Sequence, residues 1–410
     1  MNTLCPPEDA ARRALVELIR STGRDVLATL ARWTGDLTLA EDAVQDATVR
    51  ALETWSRDGV PDNPVAWLRL TARRRAVDLI RREAARRPKE AAAVTYWPTE
   101  LPAEEPPQSA VEDDLLRLVF TCCHPTLSVD AQVALALHTL CGLTTSEVAR
   151  ALLVSESTMA KRLTRARQKI KLAHIPYRVP PDHELPDRWA AVLATSYLLF
   201  NEGYAATSGP DLVRQPLVDQ AIRLVRLLVR LQPDDAGALG LLALMLLQDS
   251  RRSARSGRDG VILLRDQDRS RWDRVQVEEA VLLLGEAFRR SAHRPDRYVL
   301  QAASAACHAL APSYDATDWD AVISWYDVLR SVDDSPVVQL NRAAAVAERD
   351  GPAAGLALVD AVTGLEGYAL WHATRAVLLR RLGRDDEAAA ADHQAVRHPL
   401  NGPQRRLLGC

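Results

Sequence analysis

Residues 146–171 read SEVARALLVSESTMAKRLTRARQKIK, and they predict a short helix, a tight turn and a longer helix. Thr144 precedes Glu147 by three positions, which is the spacing of a capping box and marks the start of the short helix. Ala149 is small where the two helices must cross closely, and the longer helix is expected from about Glu156. A helix-turn-helix of this kind places its second helix in the major groove of DNA.

The predicted second helix has two distinct faces. Its buried face is expected to consist of Met159, Leu163, Ala166 and Ile170. The opposite face carries groups that hold phosphates or read guanine edges, on Thr158, Lys161, Arg162, Arg165 and Lys169. A solvated helix of a bundle would carry such a charge run too, but the cap, the turn and the core spacing together favour DNA binding. Leu153 departs from the pattern, because such turns usually carry glycine and a left-handed leucine costs about 1–2 kcal/mol.

The composition predicts an all-α protein. The 410 residues are 47% apolar and 26% charged, which is typical of a globular chain with roughly two to four domains. Alanine, leucine and arginine are abundant, and runs of alternating β-branched residues are absent. The net charge is only −2, yet eight arginines fall between positions 69 and 87, and a second basic block covers 161–171. Two basic helices separated by an acidic segment indicate two contacts with one polyanion.

A first helical domain is expected over residues 8–87. Thr38 and Glu41 have capping-box spacing, so a helix is predicted to begin there. Its polar side carries Asp42, Gln45, Asp46 and Arg50. Pro64 suits the first position of the next helix, whose outer side is rich in arginine. Within that helix, Asp78 is spaced to pair with Arg74 or Arg82.

Three further regions follow. Residues 88–111 are acidic and rich in proline, and they are interpreted as a linker. Residues 112–175 form the predicted helix-turn-helix domain. Residues 183–410 contain similar Ala/Leu-rich helical segments, in which Gly351 and Gly383 fall between paired helices about one tetratricopeptide period apart. This spacing predicts a tetratricopeptide-like α-solenoid whose concave face binds a partner.

The motifs resemble those of the extracytoplasmic-function (ECF) sigma factors, small members of the sigma-70 family. DLTLAEDAVQDATVRALETW resembles their core-polymerase-binding helix, and NPVAWLRLTARRRAVDLIRR resembles the helix that meets the −10 element. LTTSEVARALLVSESTMAKRLTRARQKI resembles the −35-binding helix-turn-helix. The resemblance covers roughly residues 8–173. Together with FTCCHP, LLFNEGYAATSG and LLRDQDRSRWD, the rest of the chain resembles a subgroup with a tetratricopeptide-like C-terminal extension.

The resemblance implies three sets of functional residues. Contacts to core RNA polymerase are expected from Asp42, Gln45, Asp46 and Arg50. Contacts to the −10 element are expected from Asp58, Asn63, Arg69, Arg73, Arg74, Arg75, Arg81 and Arg82, the first two receiving an unstacked base. Contacts to the −35 duplex are expected from Ser157, Thr158, Lys161, Arg162 and Arg165. The implied partners are core RNA polymerase, promoter DNA and a protein or peptide on the extension. No enzymatic activity, cofactor or metal is implied.

Two other functions fit parts of the sequence. GVILLRDQDRS has a superficial likeness to phosphatases with an aspartyl intermediate, in which Asp266 would be the nucleophile and Asp268 the acid. That chemistry needs a parallel sheet, which the surrounding pattern does not predict. The stronger alternative is a stand-alone helix-turn-helix regulator with a tetratricopeptide-like sensor. The first 87 residues argue against it, because such a regulator has no use for the two helices they encode.

The sequence also bears on cellular location and on the cysteines. No apolar stretch approaches the roughly 20 residues that span a bilayer, and the N-terminus lacks a signal-peptide pattern, so a cytoplasmic protein without membrane contact is predicted. The six cysteines form no disulfide pattern or zinc spacing. Cys123 beside His124 is the one candidate for a reactive thiol. Gly203 is interpreted as a helix cap, with a ligand-binding polar patch around residues 201–204 as the alternative.

Overall fold

The computed structural model describes residues 7–86, 108–152, 154–173, 175–206, 212–257, 260–291, 294–398 and 400–407. They form two compact units, Met1–Thr195 and Ser196–Cys410, whose boundary falls within one helix. Every long element is helical, which confirms the predicted all-α class. The helices of the first unit are α1 Pro7–Thr34, α2 Leu37–Asp58, α3 Pro64–Arg86, α4 Gln108–Cys122, α5 Val129–Cys141, α6 Thr145–Ala151, α7 Glu156–Leu172 and α8 Pro186–Tyr204, with a 3₁₀ turn at Asp182–Glu184.

The second unit begins within α8 and continues through ten further helices. These are α9 Gln215–Leu231, α10 Ala236–Asp249, α11 Arg274–Arg290, α12 Arg297–Leu310, α13 Trp319–Arg330, α14 Pro336–Arg349, α15 Pro352–Ala361, α16 Ala369–Arg381, α17 Asp385–Ala395 and α18 Gly402–Leu407. Between α10 and α11 lie 3₁₀ turns at Arg252–Ala254, Leu264–Asp266 and Arg269–Arg271, and the antiparallel strands β1 Ser256–Gly257 and β2 Gly260–Val261.

The α1–α3 bundle is organised around one face of α2. This face is built from alanines with Trp55 at its end, all of them buried: Ala40, Ala43, Ala47, Ala51 and Trp55. The Trp55 ring meets Trp67 of α3 edge-on, with centroids 5.5 Å apart. Because alanine side chains are short, the neighbouring helices can approach α2 closely, and the tryptophan pair adds large apolar side chains to this contact.

The start of α2 differs from the prediction. The N-cap is Asp36, whose carboxylate accepts hydrogen bonds from the backbone N–H groups of Thr38 and Leu39. The predicted capping box of Thr38 and Glu41 is therefore wrong, since an earlier acidic residue already satisfies the free N–H groups. Glu41 is consequently available for contacts elsewhere in the unit.

Helices α4–α7 form a second core, against which the first half of α8 packs. Phe120 of α4 stacks on Trp189 of α8, with ring centroids 6.4 Å apart. Cys123 lies 3.5 Å from the hydroxyl of Thr195, and burial raises the pKa of its thiol to about 12. The idea that Cys123 is reactive is therefore wrong, because the thiolate is the reactive form and burial suppresses it.

The second unit consists largely of consecutive packed helices. A buried apolar cluster links α14, α15, α16 and α17 and includes Leu340, Val359 and Leu379. Gly351 and Gly383 lie in the turns of these two pairs and have φ values of 94° and 72°. Their predicted position between paired helices is confirmed, and the positive φ explains the residue type.

Gly203 is not a helix cap. It lies inside α8, and a Cβ built there would stand 2.7 Å from the backbone nitrogen of Val218 in α9. Next to it, the buried carboxylate of Glu202 accepts from Arg214 at 3.2 Å. Close helix packing and a structural ion pair therefore account for the motif.

The segment between α10 and α11 has no phosphatase geometry. Asp266 ends a 3₁₀ turn, and the described residues contain no parallel strand that could present it. Asp268 instead caps the next turn by accepting from the N–H of Ser270 at 2.9 Å. Among the described residues, no helix combines the length and the apolar character needed to cross a membrane.

His308 of α12 makes the second unit sensitive to acid. Burial, together with Arg251 and Arg269, lowers the pKa of His308 from 6.5 to about 4. The unfolded chain therefore binds a proton that the folded chain excludes between these pH values, so the free energy of unfolding falls as pH falls. We expect this histidine to remove about 2–3 kcal/mol between pH 6.5 and 4. Urea unfolding across that range should show a shallower pH dependence for His308→Gln; equal pH dependence would contradict the prediction.

Candidate nucleic-acid and polymerase interfaces

The helix-turn-helix is formed by α6 and α7, as predicted. Thr144 and Glu147 make both hydrogen bonds of the capping box, and Ser155 caps α7 by accepting from the N–H of Thr158 at 3.2 Å. Ala149 is 3% exposed, as expected at a close helix crossing. The predicted inner face of α7 is also confirmed, because all four of its residues are buried: Met159, Leu163, Ala166 and Ile170. Leu153 lies outside the described residues.

The cap on α7 gives a direct stability prediction. We expect Ser155→Ala to lower the free energy of unfolding of the first unit by about 1 kcal/mol, because the first turn of α7 loses its side-chain acceptor. Ser157→Ala is the matched control: it removes an exposed hydroxyl that lies 3.2 Å from the Ser155 hydroxyl, while Ser155 still accepts from the N–H of Thr158. Thermal unfolding of both variants should separate them, and equal shifts would contradict the role of Ser155 as a cap.

The outer face of α7 borders a groove of about 430 Å³. The opposite wall is the start of α5, including Leu127, Ser128 and Ala131. Ser128 is the N-cap of α5 and makes no side-chain capping bond. The residues that α7 contributes are Thr158, Lys161, Arg162, Arg165, Ala166 and Lys169. Ser157 is exposed on the same turn. The groove is thus a positively charged surface suited to a nucleic-acid backbone.

One carboxylate interrupts the positive charge of this groove. Asp130, in the first turn of α5, lies 3.4 Å from the guanidinium of Arg162. The Asp130 side chain is 72% exposed, so the pair contributes little stability. It does restrict where Arg162 points. The sequence interpretation missed Asp130, because only the fold brings α5 beside α7. Lys169 was predicted on the outer face of α7 and lines the groove as well.

The arginines predicted to contact the −10 element lie along α3 and differ in their exposure to solvent. Arg74, Arg81 and Arg82 are exposed, whereas Arg69, Arg73 and Arg75 are half-buried. Arg73 lies over the ring of Trp33 at 5.8 Å. Arg75 donates to Asp46 of α2 at 2.7 Å and lies 3.9 Å from Asp78. The predicted pairing of Asp78 with Arg74 or Arg82 is wrong, because Asp78 faces the Arg75 side of α3.

Two polar groups of the loop before α3 already have partners. Asp58 forms a two-bond pair with Arg57, at 2.7 and 2.8 Å. This hydrogen-bonded guanidinium lowers the pKa of Asp58. Asn63 accepts from the N–H of Ala66 at 3.0 Å and so caps α3, which begins at Pro64 as predicted. The amide oxygen of Asn63 is used in this cap. The side-chain NH₂ group of Asn63 is therefore the group that could donate a hydrogen bond to a base.

The polar residues of α2 differ in their exposure to solvent. Asp42, Gln45 and Arg50 are exposed, while Asp46 is half-buried against Arg75. Partial burial, and then the neighbouring charge of Glu41, raise the pKa of Asp42, whereas Lys171 and Arg167 of α7 oppose the shift. The electrostatics thus place the start of α2 close to the C-terminal half of α7.

Glu41 itself joins these elements. Its two carboxylate oxygens accept from Thr139 of α5 at 2.9 Å and from Arg167 of α7 at 2.5 Å. The sequence interpretation missed this cluster because it used Glu41 for a capping box. Within the described residues, no group of three or more His, Cys, Asp or Glu side chains could hold a metal ion.

Three known families match parts of the chain. Residues 18–86 match Sigma-70 region 2, residues 117–170 match Sigma-70, region 4, and residues 188–288 match a family of unknown function, DUF6596. The first two matches cover α2–α3 and α5–α7, where the geometry described above lies. The third covers the start of the C-terminal region.

Two kinds of relatives are similar to the chain. An uncharacterized protein of Rhizobium meliloti (strain 1021) is 42% identical over 388 residues, which is 93% of this chain and 91% of that protein. A probable ECF RNA polymerase sigma factor, SigI, of Mycobacterium tuberculosis (strains H37Rv and CDC 1551) is 30% identical over 152 residues. That match covers 37% of this chain and 52% of SigI. No solved structure matches the chain significantly.

Proposed function

Because the chain belongs to the ECF sigma factors of the sigma-70 family and carries a helical C-terminal extension, we propose a division of promoter recognition among its surfaces. The chain is a sigma factor with a role in promoter-directed transcription. Sigma-70 regions bind rather than catalyse, so core RNA polymerase supplies the chemistry of initiation. The cytoplasm, where polymerase acts, is the proposed location.

The observation that carries the proposal is the basic groove of α7. Its cations are presented on the face opposite the buried stripe, so a duplex can approach without disturbing the core. We assign −35 binding to Ser157, Thr158, Lys161, Arg162 and Arg165, with Lys169 added from the groove. Phosphate contacts at this face would fix the register, and Arg162 or Arg165 would read guanine edges.

The first unit supplies the other two surfaces of the proposal. The −10 strand is assigned to the loop and the arginine side of α3, where Arg74, Arg81 and Arg82 are exposed for phosphate contacts. Core polymerase is assigned to the polar side of α2, led by Asp42, Gln45 and Arg50. Arg75 and Asp46 already bind each other, so they support these surfaces by fixing α3 against α2.

The extension, proposed as residues 183–410, is assigned a modulating role with a protein or peptide partner. Val275 and Leu282 of α11 lie seven residues apart, on one face of the helix, and are 73% and 76% exposed. Apolar side chains so open to solvent suit a protein contact. The domain scheme proposed with it is 8–87 for core and −10 binding, 88–111 as linker and 112–175 for −35 binding.

Run-off transcription with purified core polymerase on a pool of promoter fragments tests the proposal. We expect full-length protein to start transcription at defined sites and to bind DNA specifically only with polymerase. A protein that shifts DNA alone and starts no transcription would instead be a stand-alone helix-turn-helix regulator.

The role of the extension is tested by a version ending at Ala206, which keeps α8 complete. A version ending at Arg178 would lose Trp189, which stacks on Phe120 in the core of the first unit. It is therefore expected to unfold and serves as the control for loss of structure. Higher activity of the Ala206 version indicates an inhibitory extension, and lost activity indicates a required one. Unchanged activity and regulation would rule out a modulating role.

A further inference from the structure

Asp130 lies in the basic groove of α7, where its charge opposes that of every other ionised side chain. Among the described residues that line the groove it is the one acidic residue, and the four cations are Lys161, Arg162, Arg165 and Lys169. Phosphate contacts supply much of the affinity of proteins for DNA, and a carboxylate in the groove weakens them. Affinity for the DNA backbone therefore gives no reason for an aspartate at this position.

The carboxylate of Asp130 is placed to act on one cation of the groove, Arg162. The Oδ2 atom of Asp130 lies 3.4 Å from the Nη2 atom of Arg162. A charge-assisted hydrogen bond is shorter, at about 2.7–2.9 Å, so the two groups attract each other while the N–H groups of the guanidinium stay available. The Arg162 side chain is 25% exposed and that of Asp130 is 72% exposed. The guanidinium is thus held against the wall of the groove beside a carboxylate that is open to solvent.

Stability of the fold does not account for this pair. An ion pair with one partner so exposed adds little to the free energy of unfolding. Asp130 lies in the first turn of α5, where a carboxylate interacts favourably with the helix dipole. That interaction explains an acidic residue in this turn, but it does not require the residue to face Arg162 across the groove.

The chemistry of DNA readout gives the pair a purpose. A guanidinium carries five N–H donors in a planar fork, and two of them can bind the O6 and N7 atoms of guanine in the major groove. A phosphate competes for the same fork, because it also accepts two parallel hydrogen bonds. A carboxylate beside the guanidinium repels the phosphate, whereas guanine carries no net charge and is not repelled. The pair therefore favours a base edge over the backbone.

We propose that Asp130 determines base specificity at the −35 element by keeping phosphates away from Arg162 and orienting this guanidinium toward a guanine. Asp130 is a positioning residue, since it acts through Arg162. The role rests on the proposed function, because it concerns the DNA element assigned to α7. It also divides the work of the groove: Lys161 and Arg165 hold phosphates, and Arg162 reads the base.

Base preferences measured with the polymerase complex test this role. Wild type and Asp130→Asn are each allowed to select from promoter fragments randomised across the −35 element, and the bound fragments are sequenced. The amide keeps the shape of the side chain and removes its charge, so the preference for guanine at one position should fall about tenfold, with the other positions unchanged. Asp182→Asn is the matched control, because Asp182 is exposed in the same unit and does not line the groove. It should select the same fragments as wild type.

The salt dependence of binding gives an independent readout. On a fragment without the selected −35 sequence, the complex with Asp130→Asn should bind about two- to fivefold tighter than wild type, because phosphates are no longer repelled. Its salt slope should be steeper by up to about 1, for one more phosphate contact. Weaker binding to this fragment, together with an unchanged preference for guanine, would leave Asp130 a structural role only. A partly unfolded variant would lose affinity for both fragments equally, so the ratio of the two affinities reports specificity alone.

The variant Arg162→Lys shows whether Asp130 acts through Arg162. Lysine keeps the charge but cannot make the two parallel hydrogen bonds, so adding Asp130→Asn to it should reduce the preference for guanine no further. Three results would each overturn the role of Asp130: an unchanged preference in Asp130→Asn, an equal loss of preference at every position, or a further loss in the double variant. A wild-type complex with no base preference in the −35 element would overturn the proposed function instead.

Discussion

Replacing both Lys161 and Arg165 by glutamate is expected to reduce promoter binding by the polymerase complex about 100-fold or more and to abolish specific initiation. Both side chains are exposed on α7 and border the groove, while the buried stripe lies on the other side of the helix. Each lost phosphate contact weakens binding and reduces the salt slope by about 1, and the new carboxylates repel the backbone. The double variant should therefore bind weakly with a salt slope lower by about 2.

A control with the same change in net charge separates the groove from bulk electrostatics. Arg223 and Arg271 are exposed in the second unit, and reversing both to glutamate makes the same change of charge far along the chain from α7. Fluorescence anisotropy of a −35 duplex with the polymerase complex, measured at several salt concentrations, compares the two variants. Equal losses in both would show that only net charge matters and would remove −35 binding from α7.

The helix-turn-helix was predictable because its signals are local. A capping box, a small residue at the crossing and a buried stripe at helical spacing are each set by a few neighbouring residues, and α6 and α7 follow them. The start of α2 shows the limit of local signals. Thr38 and Glu41 have the right spacing, but Asp36 caps the helix, and Glu41 binds groups 98 and 126 positions away. Spacing along the chain cannot report such distant partners.

Interaction sites were harder to predict than elements for the same physical reason. The exposed cations of α7 follow from helical periodicity, whereas the groove also needs α5, whose position depends on tertiary packing. Likewise, Asn63 and Asp58 were identified by residue type, but type alone does not reveal that one caps α3 and the other pairs with Arg57. Polar groups form hydrogen bonds with one another wherever the fold brings them together. Which donors and acceptors remain available to bind a partner therefore depends on the folded structure.

Replacing Gly240 by alanine is expected to destabilise the second unit by about 3 kcal/mol. A Cβ at this position of α10 would lie 2.7 Å from the backbone nitrogen and 2.9 Å from the Cα of Val299 in α12. Backbone atoms in a helix cannot move aside as a flexible side chain can, so α10 and α12 must separate and lose packing along their length. The gain of about 1 kcal/mol that alanine normally brings to a helix interior is too small to compensate.

Gly285 supplies the matched control, because it is also a glycine inside a helix of the same unit. A Cβ there would meet only the end of the Arg289 side chain, at 3.7 Å. Gly285→Ala should therefore stabilise the unit by about 0.5–1 kcal/mol, so the same chemical change has opposite signs at the two positions. Urea unfolding of the full-length variants, with hydrogen exchange to follow α10 and α11 separately, measures both effects. Stabilisation by both alanines would mean that α10 and α12 are not in close backbone contact, and the packing that we describe for the second unit would have to be revised.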